Sequence, residues 1–148
     1  MKLLKFGFLF AILLVFSCKN SKKETHTMTN HETHKASESM GIQLHNNQPW
    51  EANMETTQGI IAMQDAMKAF TEKEEIRGYK NLKTQLENEF ATLVAKCTMT
   101  GEAHDQLHNY LMPMKEYFNS LGASDIQEAK KGFTKLENHL MQYTTYFK

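Results

Sequence analysis

Tyr79, Leu82, Leu86, Phe90, Leu93 and Cys97 recur every three or four residues along a stretch whose other face is Gln, Glu, Asn and Lys. That spacing gathers the apolar side chains on one face of a helix, so the segment must be helical and must bury that face. Three more stretches repeat the pattern: Ile60, Met63, Met67 and Phe70; His104, Leu107, Leu111, Met114, Phe118 and Leu121; and Ile126, Ala129, Phe133, Leu136, Leu140, Tyr143 and Phe147, which runs as heptads to the end of the chain. A one-sided helix is stable only against a partner face, and short connections force neighbouring helices to run antiparallel. The expected fold is therefore all-α, an up-down-up-down four-helix bundle over residues 41–148, and no segment of strand periodicity competes with it.

Boundary signals divide the stripes. Ile42, Leu44 and Trp50 suggest a short extended entry, with Trp50 packed on the base of the domain, and Asn53 is placed to cap the first helix. Thr71-Glu-Lys-Glu74 has the form of a capping box that would open the second helix at once, with Gly78 costing some helicity. Residues 98–101 read as a tight turn, Thr100 as the next cap and Glu102 as a favourable first-turn acid. Pro113 removes the hydrogen bond that would reach the carbonyl of Asn109 and should kink the third helix; Ser124-Asp-Ile-Gln127 is a further capping box.

Residues 1–17 stand apart from the domain. MKLLK is a basic start and FGFLFAILLVFS an apolar run of 12 residues, too short to span a bilayer but suited to an export signal. Val15-Phe16-Ser17-Cys18 then resembles the lipobox of bacterial lipoproteins, whose cysteine becomes the lipidated N-terminus; an ordinary signal peptide or an uncleaved anchor are the rival readings. Cys18 to Met40 has too little apolar surface to offset ordering and reads as a disordered tether, in which His26, His31 and His34 serve as polar spacers or as weak metal recruiters. The domain would thus face the periplasm, joined to a membrane through its lipid. The chain has 17 basic and 17 acidic residues, and loss of Lys2 and Lys5 with the leader leaves 15 against 17. That balance offers no surplus for a phosphate backbone, so nucleic acid is not expected, and no particular protein partner is indicated.

Enzyme templates find little support. A di-iron bundle needs paired Glu-x-x-His motifs, and only Asp105-x-x-His108 approaches one. There is no Cys-x-x-Cys-His, no glycine-rich phosphate loop and no Gly-x-Ser-x-Gly turn, and a Cys97–His104 nucleophile lacks an evident oxyanion hole. No catalytic activity is expected. The stretch KCTMTGEAHDQLHNYLMPM, residues 96–114, is a different matter. With Cys18 lipidated, Cys97 is the one thiol left, and an antiparallel hairpin brings it opposite His104, with His108 one turn further along the same face. Met99 lies in the turn and Met112 along the same row. Thiolate, imidazole and thioether suit monovalent copper; zinc would take Cys97, His104 and His108 with water or Glu102. The same residues can instead form a metal-free structural cluster in an interaction module, or a His and a Met can ligate a haem held between helices. His139 is expected at the solvent edge, and His45 has no evident partner.

Trp50 to Met54 with Asn53, the motif Lys96-Cys97-Thr98-Met99-Thr100-Gly101-Glu102-Ala103-His104-Asp105-Gln106-Leu107-His108, and the closing Tyr143-Thr-Thr-Tyr146-Phe147 together resemble a group of small uncharacterised envelope lipoproteins of Bacteroidetes-type bacteria. The resemblance implies an envelope location and a helical bundle, and it supports a site at Cys97, Met99, His104 and His108 without naming its ligand.

Overall fold

The computed structural model describes residues 41–148; the expected leader, the expected lipidation at Cys18 and the expected tether with its three histidines lie outside the described residues. Within them the protein is all-helical: α1 (Met54–Ala69), α2 (Ile76–Lys96), α3 (Gly101–Leu111), α4 (Met114–Leu121), α5 (Ile126–Met141) and the single turn α6 (Tyr143–Tyr146). α1 packs along α2 and α4 along α5, while α5 also meets α1 and α4 meets α2. These four helices close a ring, and α3 leads into α4 with its Leu107, Tyr110 and Leu111 buried in the same core.

The stripes fill the centre of that ring. Ile60, Met63, Leu86, Leu93, Met114, Leu121, Leu136 and Leu140 are almost wholly buried, and each such side chain contributes about 1.5–3 kcal/mol relative to exposure. α5 approaches α4 closely because position 132 is glycine: a Cβ there would lie 2.5 Å from the backbone nitrogen of Leu121 and 2.8 Å from the carbonyl carbon of Ser120. Backbone cannot move aside as the end of a flexible side chain can.

Several boundaries differ from the sequence expectation. The second helix begins at Ile76, with Glu75 and not Thr71 preceding it. Residues 72–75 form a turn instead, held by the Tyr79 hydroxyl donating to the Lys73 carbonyl at 3.0 Å, so the buried tyrosine fastens the segment that the capping box would have made helical. The α5 cap is Asp125, not Ser124; its carboxylate accepts from the N–H groups of Gln127 and Glu128 at 3.0 and 2.9 Å. An ionised acceptor at the helix start outdoes a hydroxyl one residue earlier.

The helix is interrupted at Pro113, with α3 ending at Leu111 and α4 starting at Met114, while Met112 and Pro113 keep right-handed helical backbone between them. The last stripe does not stay helical to the end either. Phe147 leaves α6 extended, and the chain beside Trp50 pairs with it: Trp50 N–H donates to Tyr146 at 2.7 Å, Lys148 N–H to Trp50 at 2.9 Å and Ala52 N–H to Lys148 at 2.9 Å. This clasp satisfies backbone groups at both ends of the domain and buries Trp50 and Phe147.

Replacing Gly132 by alanine should lower stability by about 1–3 kcal/mol through overpacking. The check is the denaturant midpoint, with Gly41→Ala as the control, since nothing lies within 4 Å of a Cβ at Gly41 and that variant should match the parent.

Candidate functional site

The end of α2 and the start of α3 are joined by four residues whose geometry depends on one glycine. Cys97 terminates α2 with extended backbone, and Thr100 is extended in turn. Gly101 then takes φ +64° to start α3, a left-handed conformation that costs an L-residue roughly 1–2 kcal/mol. The α2 end is fixed from the other side by Asn53, whose side-chain amide donates to the Lys96 carbonyl at 3.3 Å and to Glu55 at 2.8 Å. Asn53 does precede α1, but its side chain makes no cap bond to the helix backbone, accepting the Thr56 hydroxyl instead.

A cleft of about 150 Å³ opens between α2 and α3, lined on one side by Phe90, Val94 and Cys97 and on the other by His104, Leu107, His108, Leu111, Met112 and Lys115. Phe90 and Cys97 belong to the α2 stripe and His104, Leu107 and Leu111 to the α3 stripe, while Val94, His108, Met112 and Lys115 are exposed around them. Cys97 Sγ lies 3.8 Å from His104 Nδ1. The His108 ring sits edge-on against His104, with centroids 4.4 Å apart and planes at 61°. Cys97 and His104 are half-buried; His108 is exposed, and Met112 is 57% exposed at the rim.

Four of the five residues singled out from the sequence thus line one cleft. Met99 is the exception: it packs half-buried against the hydrophobic core and does not contribute to the cleft wall. Glu102 is exposed and also absent from the wall. Among the described residues, no three His, Cys, Asp or Glu side chains are grouped as a ready metal site.

His139 is buried, contrary to the solvent edge expected for it. Its Nε2 donates to the Tyr110 carbonyl at 2.7 Å, and the Tyr110 hydroxyl donates to the His139 carbonyl at 3.0 Å. The rings stack at 4.4 Å, with Tyr117 edge-on to the imidazole. A carbonyl only accepts, so Nε2 carries the proton. The proline break was expected to offer the Asn109 carbonyl to a donor; the carbonyl that a histidine takes is that of the next residue, Tyr110. Position 139 lies three residues after Leu136, on the buried stripe, and that spacing was the available signal. Burial lowers the imidazole pKa, against the partial opposition of its bond to Tyr110, and burial raises that of Tyr110.

Tyr143 is also held above the usual phenol range, chiefly by burial; the Thr57 hydroxyl at 2.9 Å opposes the shift and the nearby Cys97 adds to it. His45 has a partner after all, stacking on Trp50 at 4.7 Å. The entry segment it belongs to reaches α3, where Gln43 N–H donates to the Gln106 side chain at 2.7 Å.

A base whose folded pKa is lowered binds fewer protons when folded than when unfolded, so stability falls as pH drops below the unfolded value of about 6.5. His139→Gln keeps a donor for the Tyr110 carbonyl but cannot titrate. Denaturant midpoints measured from pH 7.5 downward should show a decline beginning near pH 6.5 in the parent and a flatter curve through that window in the variant.

No family model, no curated protein and no solved structure matches the chain, so the geometry of the α2–α3 cleft carries the functional reading.

Proposed function

We propose that this chain is a lipid-anchored, periplasm-facing four-helix bundle of up-down-up-down topology that binds a soft or borderline metal ion, copper in preference to zinc, at the α2–α3 cleft for sequestration or sensing. The observation that carries the reading is the Cys97–His104 separation. An ion ~2.3 Å from a sulfur and ~2.0–2.1 Å from an imidazole nitrogen, with ~120° between its bonds, holds those atoms ~3.8 Å apart. Cys97 Sγ and His104 Nδ1 are 3.8 Å apart. His108, in the same cleft wall and packed edge-on against His104, would supply the second imidazole, and Met112 a weak thioether.

Copper is favoured over zinc by ligand softness, since no carboxylate lines the cleft and a thiol and a thioether do. Monovalent copper is satisfied by fewer and softer ligands, of which Cys97 and Met112 are two. The role is read as binding without catalysis: beside the thiol and imidazoles the wall is mostly apolar, with Lys115 at the rim as its one other charged group. Haem gains no support, because a cleft of about 150 Å³ is smaller than the ~300–1,000 Å³ of ordinary ligand pockets. The larger clefts, at the α1–α2 turn and between α1 and α5, have no histidine in their walls. The envelope location rests on the leader and on the resemblance of the hairpin motif to envelope lipoproteins.

A second reading rests on the same distance, since 3.8 Å also fits a weak hydrogen bond between thiol and imidazole. In that case the cluster is structural and the bundle is a metal-free docking module. Metal analysis of the purified full chain separates the two. Wild type should retain about one equivalent of copper, and Cys97→Ser and His104→Ala should lose most of it. Equal metal content in all three would sink the metal site and leave the docking module.

A further inference from the structure

The charges around the cleft bear on which oxidation state it accepts. Lys115 is the one charged side chain in its wall apart from what the histidines carry; no Asp or Glu lines it, and Phe90, Val94, Leu107 and Leu111 make up most of the rest. Lys115 follows Met112 by three residues across the Pro113 break, so it stands at the same rim as the exposed thioether. Resting on the reading of the cleft as a metal site, we infer that Lys115 is a specificity-determining residue that favours monovalent over divalent ions at the site.

The reason is charge balance. When a monovalent ion displaces the Cys97 proton, a sulfur–metal bond forms, the proton leaves to solvent, and the net charge of the cleft is unchanged. When a divalent ion does the same, the cleft gains one positive charge beside the Lys115 ammonium. No carboxylate in the wall compensates for it, and the apolar lining solvates a net charge poorly. Divalent ions are thus penalised by the lysine and by the mostly apolar wall, whereas a monovalent ion adds no net charge to either.

Lys115 is solvent-exposed, so its effect is screened and should be modest and salt-dependent. The experiment measures affinities of the full chain for Cu(I), kept reduced by anaerobic work, for Ag(I) as a monovalent ion inert to oxidation, and for Zn(II). Chelator competition gives the constants, and Cys97→Ser serves as the blank for ions held elsewhere. Lys115→Glu should tighten Zn(II) by about tenfold, leave Cu(I) and Ag(I) within about twofold, and lose much of this difference in 1 M salt. Lys115→Gln should give a smaller shift in the same direction, and circular dichroism should show the same helix content in all variants. If both metal classes bind in a Cys97-dependent manner and their ratio does not move in Lys115→Glu, the inference is overturned while the metal reading stands. If neither Cu(I), Ag(I) nor Zn(II) binds in a Cys97-dependent manner, both fall together.

Discussion

Tyr110 and His139 exchange hydrogen bonds between α3 and α5, each side chain donating to the other's carbonyl, with both rings buried and stacked. This pair fixes the segment that the proline break releases. α1, α2, α4 and α5 close on one another through their apolar stripes, and α3 adds Leu107, Tyr110 and Leu111 to the same core, with the Tyr110 ring also against Tyr143 and Phe147. A reciprocal pair with no buried side-chain polar atom left unmatched gives α3 one position. That position decides how far α3 stands from the end of α2, and hence the cleft with Cys97 on one wall and His104 on the other.

Both ends of the domain reinforce the arrangement. Asn53 ties the start of α1 to the end of α2 beside Cys97. The Trp50–Phe147 clasp joins the entry segment to the tail, and Gln43 joins the same segment to α3. Tyr143, bonded to Thr57 on α1, lies near the thiol from below. The candidate ligands therefore hang on a scaffold connected at several points, with Met112 exposed at its rim.

Local periodicity made much of this legible. The stripes through Ile60, Met63 and Met67, through Leu82, Leu86 and Leu93, and through Leu136 and Leu140 are short-range patterns, and each became a buried helix face. The meeting of Cys97 and His104 was legible for the same reason, since seven residues and one turn separate them. What the sequence hid depends on distant partners. The Thr71 box yields to a turn fastened by Tyr79, the tail leaves the helix to pair with Trp50, and His139 is drawn inward by a tyrosine 29 residues away. Met99 sits in a motif rich in ligand atoms, yet it turns to the core, because a flexible thioether fills apolar gaps as readily as it binds metal.

The claim that rests most heavily on the structure is that Cys97 sulfur and His104 nitrogen hold one ion between them. X-ray absorption at the copper edge of the full chain, loaded with Cu(I), reads this directly. One sulfur neighbour at ~2.2–2.3 Å together with one or two imidazole nitrogens near ~2.0 Å, the sulfur vanishing in Cys97→Ser, is the predicted spectrum. A shell of nitrogen and oxygen alone, identical in the parent and in Cys97→Ser, would contradict the account.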